Sequence, residues 1–101
     1  MAFRVVWQKS AREDLRELLA RIKKDSREAA RSFGRQVNDA GRSLRNFPER
    51  GRAVPEIAGY RELLLGNYRL IYCLQDKTVR IVRFIWGSRD FPRAWKTTGP
   101  P

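Results

Sequence analysis

The chain has 101 residues, of which 42% are hydrophobic, and its 22 Lys and Arg outnumber its 11 Asp and Glu to give a formal net charge of +11. This size and apolar content predict one folded domain with a single modest core. The sequence contains no histidine and one cysteine, Cys73, which excludes His-based catalytic triads, the usual zinc sites and an internal disulfide. We therefore expect no metal, no cofactor and an anionic partner.

The N-terminal residues, MAFRVVWQKSARED, lack the apolar segment and small-residue cleavage site of a signal peptide. No stretch approaches the roughly 20 apolar residues that a membrane span needs. The lone cysteine also suits a reducing compartment. These features predict a cytoplasmic protein that does not associate with a membrane.

Residues 3–7 (FRVVW) are rich in β-forming side chains and predict a first strand. Trp7 at its end is expected in the core. Ser10 and Glu13 have the spacing of a capping box, which predicts a first helix that begins at Ser10. The apolar residues of this helix follow at helical spacing on one face: Leu15, Leu18, Leu19 and Ile22.

Residues 25–28 (DSRE) repeat the capping pattern and predict a second helix, which Pro48 should end. Its apolar residues alternate at steps of three and four, which indicates a core-facing stripe. They are Ala30, Phe33, Val37, Ala40, Leu44 and Phe47. Two neighbouring helices of this kind predict an antiparallel hairpin packed on one face of a sheet.

Residues 48–59 contain two prolines and two glycines, which predicts a loop with at most a short edge strand at 53–57. Strand-like segments follow at 60–65, 68–74 and 78–86, separated by the turns Gly66-Asn67 and Asp76-Lys77. The sequence thus predicts an α+β fold of order β-α-α-β-β-β, in which the last three strands form an antiparallel meander. Residues 1–95 should form the domain and 96–101 a frayed tail.

Arginines recur in and just after these strands, and we expect the sheet face that the helices leave open to carry arginine and aromatic side chains. These arginines are Arg61, Arg69, Arg80, Arg83 and Arg89. Each guanidinium needs solvent, a partner or an anionic ligand. Arg69 has a structural alternative, an ion pair with Glu62 across the hairpin. Arg80 and Arg83 have opposite parity, so we expect them on different sides, at least one of them facing solvent or a protein partner.

The segments YRELLLGNYRLIY and FIWGSRD, in this order after two helices, are similar to those of the RelE/ParE superfamily of bacterial type II toxins. The GNYRLIY strand resembles the tyrosine-arginine strand of that family, and the last strand is followed by Gly87-Ser88-Arg89-Asp90. The likeness covers nearly the whole chain. It implies a small growth-inhibitory toxin that a cognate antitoxin neutralises in a hetero-oligomer. One branch of the superfamily cleaves messenger RNA on the ribosome, and the other inhibits DNA gyrase.

If the chain were a nuclease, the resemblance would make Arg61, Arg69 and Arg89 its catalytic residues, with Trp95 at the position of an aromatic residue beyond the last strand. Cleavage by the 2′-hydroxyl of the RNA needs a base and a proton donor in addition to cations. The second lysine of the nuclease pattern is replaced here by Leu63, and its tyrosine by Trp95, which cannot transfer a proton.

These departures favour gyrase inhibition. A ribosome-dependent endoribonuclease is the first alternative, and a non-enzymatic nucleic-acid-binding module is the second, because the net charge alone is evidence for it. Arg89 is the strongest single functional candidate, although Asp90 beside it offers an ion pair. The residues expected to contact the target or the antitoxin are Arg80, Arg83, Trp86, Asp90 and Trp95.

Overall fold

Two helices and a five-stranded sheet make up the described part of the protein, which is residues 2–87 of a computed structural model. The helices are α1 (Lys9–Asp25) and α2 (Arg27–Ser43). The strands are β1 (Arg4–Trp7), β2 (Arg52–Ala53), β3 (Arg61–Leu65), β4 (Tyr68–Gln75) and β5 (Thr78–Trp86). The predicted α+β class and its β-α-α-β-β-β order are confirmed, with β2 as a short additional edge strand. The expected tail at 96–101 lies outside the described residues.

The sheet has the order β1-β5-β4-β3-β2, and the predicted antiparallel meander of β3, β4 and β5 is present. The strand β1 pairs with β5 in parallel, because the intervening helices carry the chain across the sheet before the meander begins. Positive φ angles at Gly66 (60°) and at Asp76 and Lys77 (49° and 51°) allow the two tight turns.

The main core lies between the helices and the sheet. Its fully buried side chains include Val37 and Leu44 of α2 and Leu70, Tyr72 and Ile81 of the sheet. Burial of an aliphatic side chain of this kind contributes about 1.5–3 kcal/mol.

The helices form the predicted antiparallel hairpin. The backbone of Gly34 lies against Leu19 of α1, whereas that of Gly41, further along α2, lies against Trp7, which precedes α1. A methyl group at Gly41 would lie 3.1 Å from Cζ2 of Trp7, so the glycine permits this close approach. Trp7 packs against the main core, as predicted.

A second apolar cluster covers part of the opposite face of the sheet. Val54, Ile71, Val82 and Ile85 are buried there, with Ile57, Tyr60 and Cys73 packed around them. The prediction that this face is left to arginine and aromatic side chains is therefore wrong in part. Residues 54–60 fold over the sheet and bury aliphatic side chains that a local pattern could not assign to this face.

The predicted capping box at Ser10 is wrong. The helix α1 begins one residue earlier, at Lys9, and its N-cap Gln8 makes no side-chain capping hydrogen bond. The Ser10 hydroxyl instead donates to the carbonyl oxygen of Val82 at 2.7 Å. A long-range hydrogen bond has thus replaced the local one that the spacing predicted.

The second helix begins at Arg27, where the cap is Ser26 rather than Asp25. The Ser26 hydroxyl oxygen accepts from the backbone amide of Ala29 at 3.0 Å. The helix ends at Ser43, five residues before Pro48, and the following residues form turns. Phe47 therefore leaves the helical stripe, and the prediction that it lies in the core is wrong, since it is 65% exposed.

Candidate functional site

Arg61 and Arg69, two of the three candidate catalytic residues, project from opposite faces of the sheet. Arg61 is opposite Tyr72 in the β3–β4 register, on the face that packs against the helices. Arg69 lies between Tyr68 and Leu70 in β4, and these two side chains belong to the main core between the helices and the sheet. Arg69 therefore points to the opposite face, where it lies opposite Ile85 of the second cluster. The sheet therefore separates the two guanidinium groups.

Arg69 is 9% exposed and takes part in an ion-pair network on the face opposite the helices. Its Nη1 and Nη2 donate to Oε1 and Oε2 of Glu56 at 3.1 and 3.0 Å. This hydrogen-bonded guanidinium holds the pKa of Glu56 below its ordinary value. The forked guanidinium of Arg69 binds this carboxylate in the way that it would bind a phosphate. Glu56 therefore occupies the place where an anionic ligand of Arg69 would have to bind.

Glu62 joins Arg69 to Arg52 in the same network. Its side chain is 0% exposed, and its Oε2 accepts from Nε of Arg52 at 2.7 Å. Its Oε1 accepts no hydrogen bond within residues 2–87 but lies 3.4 Å from Nε of Arg69, which is close enough for an ion pair. The predicted structural alternative for Arg69, a cross-strand pair with Glu62, is therefore present.

On the other face, Arg61 and Tyr72 hold the loop that follows α2. Nη1 of Arg61 donates to the carbonyl oxygens of Gly51 and Glu49 at 2.7 and 3.3 Å. The Tyr72 hydroxyl donates to the carbonyl oxygen of Pro48 at 2.8 Å and accepts from the Gly51 amide at 2.9 Å. Burial raises the pKa of Tyr72, which suits a hydroxyl in structural hydrogen bonds.

Arg83 is buried beside the first turns of α1. Its Nε and Nη2 donate to the two carboxylate oxygens of Asp14 at 2.7 and 3.1 Å, and the backbone amide of Phe84 donates to the same carboxylate at 2.9 Å. The strand β1 has ended at Trp7, so Ser10 and Asp14 take over its role as hydrogen-bond partners of β5. Arg83, one of the candidate contact residues, is thus 6% exposed and bound within the fold.

Arg80 lies opposite Cys73 and Arg83 opposite Ile71, two residues of the second cluster's face, and the register shift between Ile71 and Tyr72 breaks the alternation on which the parity prediction depended. Arg80 is partly buried and binds Gln8. When the Gln8 amide is oriented by its hydrogen-bond partners, its oxygen accepts from Nη2 and Nε of Arg80 at 2.8 and 2.9 Å. Cys73 faces Arg80 across the β4–β5 ladder, and burial raises the pKa of this thiol. Neither arginine is a fully solvated side chain.

Trp86 is the most exposed of the candidate contact residues within the described range. It is 37% exposed, and its ring meets Tyr68 edge-on at a centroid distance of 5.1 Å, while Tyr68 stacks on Phe84 at 5.4 Å. Arg89, Asp90 and Trp95 lie outside the described residues. The remaining candidates, Arg61, Arg69, Arg80, Arg83 and Trp86, do not converge on one site.

The acidic partners Asp14 and Glu56 were not identified in the sequence. They lie 69 and 13 residues from the arginines that they bind, so no local spacing indicates them. Within residues 2–87, no three His, Cys, Asp or Glu side chains come close enough together to hold a metal ion. Neither helix of this range has both the length and the apolar character needed to cross a membrane.

Comparison with known proteins gives a family match over residues 5–91, to the model described as "ParE toxin of type II toxin-antitoxin system, parDE". No match is found among curated proteins. Among solved structures, the chromosomal ParDE toxin-antitoxin system from P. aeruginosa is similar in fold, with a TM-score of 0.73 and 19% identity over 84% of this chain and 96% of that chain. The RelBE2 toxin-antitoxin complex from Mycobacterium tuberculosis matches with 30% identity and a TM-score of 0.56, over 85% of this chain and 99% of that chain.

Proposed function

The chain belongs to the ParE family of type II toxin-antitoxin toxins, within the RelE/ParE superfamily, and from this premise we propose that it inhibits DNA gyrase without cleaving RNA. The observation that carries the proposal is the separation of Arg61 and Arg69 by the sheet. A cognate antitoxin is the expected partner, because both similar structures are toxin-antitoxin systems.

Cleavage of RNA requires several groups around a single phosphate. A base must accept the 2′-hydroxyl proton while cations stabilise the charge of the transition state, and misplacement by even about 1 Å is costly. Arg61 and Arg69 cannot reach one phosphate from opposite faces without a rearrangement of the sheet. Arg69 would also have to give up its ion pairs with Glu56 and Glu62. The Glu62 side chain, which is 0% exposed, would then have Arg52 as its remaining cation.

The position of Leu63 argues in the same direction. Where the nuclease pattern has a second lysine, Leu63 is 8% exposed and belongs to the main core. A lysine there would have to place a charge among apolar side chains, at a cost that shifts its pKa or destabilises the fold. Position 63 is thus a packing position of the sheet and does not carry a catalytic cation. This supports inhibition by binding rather than by catalysis.

A supercoiling assay tests the proposal directly. Relaxed plasmid, gyrase and ATP are incubated with increasing amounts of the purified toxin, and we expect negative supercoiling to stop. Heat-denatured toxin is the control. Undiminished supercoiling at a large molar excess of folded toxin would refute gyrase as the target.

The two alternatives are tested with the same protein preparation. Toxin is added to translating ribosomes, and primer extension of the message reports new 5′ ends, which we expect to be absent. Cleavage that the variant Arg61→Met abolishes would establish the endoribonuclease instead. Binding to random duplex DNA with a steep salt dependence, but without growth inhibition, would indicate the nucleic-acid-binding module.

The role of Arg89 remains an expectation from the family resemblance. We propose that Arg89→Ala removes growth inhibition and leaves the circular dichroism spectrum and thermal midpoint unchanged. An equally stable variant that still arrests growth would remove Arg89 from the functional site.

A further inference from the structure

Exposed arginines gather around the C-terminal end of α2, and we call them the arginine cluster: Arg4, Arg42, Arg45 and Arg50. The amide of Phe3 donates to the carbonyl oxygen of Arg45 at 2.9 Å, which brings the start of β1 beside the residues that follow α2. A pocket of about 440 Å³ lies between these two segments, and three members of the cluster line it. The fourth, Arg50, donates from Nη1 to the hydroxyl oxygen of Ser43, at the end of α2, at 2.6 Å.

The fold leaves the charges of the arginine cluster without carboxylate partners. None of the four forms an ion pair within residues 2–87, unlike Arg69 and Arg83. Arg42 gains from the negative end of the α2 dipole, but one cation in the last turn suffices for that. The acidic residues nearest in sequence, Asp39 and Glu49, are exposed and form no ion pair in this range either. Like charges brought together repel one another, and an anionic partner would relieve this repulsion.

Phe47 adds an apolar contact surface beside the arginine cluster. It is the most exposed of the large hydrophobic side chains in the described part of the chain. The turn that carries it is fixed by its backbone, because its amide donates to the carbonyl oxygen of Ser43 at 3.1 Å and its own carbonyl oxygen accepts from the amide of Arg50 at 3.1 Å. The next residue, Pro48, accepts from the Tyr72 hydroxyl at 2.8 Å. A ring presented on a fixed backbone loses little conformational entropy when a partner covers it.

We propose that the arginine cluster and Phe47 form a binding surface for duplex DNA. Forked guanidinium groups bind phosphate oxygens well, and contacts of this kind require no particular base sequence. The four cations come from a strand, a helix and the turns that follow the helix, so they are spread over a surface, as the phosphates of a duplex are. The ring of Phe47 then lies against the sugars or the base edges.

An acidic protein is the competing class of partner, and the composition of this surface argues against it. Protein–protein interfaces are depleted of charge at their centre and rely on an apolar core there. Here four guanidinium groups accompany a single fully exposed ring, and protein–DNA interfaces are the ones that carry so much positive charge. The inference goes beyond the proposed function, because the binding of DNA is measured without gyrase and does not depend on inhibition.

Fluorescence anisotropy with a labelled duplex of about 20 base pairs of arbitrary sequence tests the surface. For the Arg42→Gln, Arg45→Gln double variant we expect the affinity to fall by about tenfold or more. The slope of log K against log salt should become shallower by about two, because each lost phosphate contact removes close to one. The matched control is Arg16→Gln, Arg31→Gln, which removes the same charge at exposed positions outside this surface. Arg31 lies about 16 Å from Arg42 along α2.

Circular dichroism and the thermal midpoint establish that both double variants are folded. Equal losses of affinity in the two would overturn the proposal, because they would show that net charge alone is recognised. Failure of the wild type to bind the duplex at about 50 mM salt would overturn it as well. None of these results alters the supercoiling assay, so failure here is distinct from failure of the gyrase proposal.

Two further measurements separate contact from charge and DNA from protein. Phe47→Ala should weaken duplex binding several-fold at an unchanged salt slope and an unchanged thermal midpoint, because the variant removes exposed contact area but no charge. Unchanged affinity would overturn the assignment of Phe47 to the surface. A labelled poly-glutamate peptide of similar charge is measured in parallel, and we expect it to bind more weakly than the duplex. Tighter binding of the peptide, lost in the Arg42→Gln, Arg45→Gln variant, would overturn DNA as the partner in favour of an acidic protein.

Discussion

Arg69→Met should lower the free energy of unfolding by about 3 kcal/mol, because removal of one partner from a buried ion pair costs roughly 3–5 kcal/mol. The Glu62 side chain is 0% exposed, and Arg69 is the cation next to its Oε1. The lower end of the range applies because Arg52 still holds Oε2 at 2.7 Å. The lost contact with Glu56 adds less than about 1 kcal/mol, since that side chain is 35% exposed.

Urea unfolding followed by circular dichroism at neutral pH measures this loss. A double-mutant cycle with Glu62→Gln should give a coupling energy of about 1–3 kcal/mol. Arg80→Met is the matched control: this arginine is partly buried but binds the neutral Gln8 amide, so its loss should cost about 1 kcal/mol. A loss below about 1 kcal/mol for Arg69→Met, or no coupling to Glu62, would refute the assignment of Arg69 to a structural network.

The same variant also connects stability to function. At a temperature where Arg69→Met is folded, we expect it to inhibit gyrase as well as the wild type does, because Arg69 is directed at Glu56 and Glu62. Loss of inhibition by a demonstrably folded variant would place Arg69 in contact with the target.

Three further predictions concern titratable or hydrogen-bonded groups. Arg69 lowers the pKa of Glu56, so the stabilising contribution of this carboxylate is complete above its ordinary pKa of 4.5 and is lost as pH falls through the lower folded value. Glu56→Gln should therefore be less stable than the wild type at neutral pH but equally stable in strong acid, as measured by urea unfolding; a constant difference would contradict this. Tyr72→Phe leaves the buried Gly51 amide without its acceptor and should cost about 1–3 kcal/mol in thermal unfolding, whereas an unchanged midpoint would show that the bond is dispensable. Burial raises the pKa of Cys73, so iodoacetamide should modify the folded protein much more slowly than the urea-unfolded protein, and equal rates would show that the thiol is accessible.

The local patterns of the sequence predicted most of the fold. Strand-like segments separated by the turns Gly66-Asn67 and Asp76-Lys77 predicted the antiparallel meander, because strand propensity and turn chemistry depend on neighbouring residues. The same reasoning failed at Ser10, whose hydroxyl has a partner 72 residues away, and at Phe47, which the early end of α2 removes from the core stripe. Both errors arise where a long-range contact or a helix end overrides a local preference.

The sequence by itself determined the class of the protein: an α+β fold of this order, a strongly cationic chain, and the motifs that resemble RelE/ParE toxins. The tertiary structure decided how its arginines are used. Arg69 binds Glu56 and Glu62, Arg83 binds Asp14, and Arg61 projects from the other face of the sheet from Arg69. Composition fixes how many charges a chain carries, but only the packed fold determines which of them meet a carboxylate and which remain for a partner.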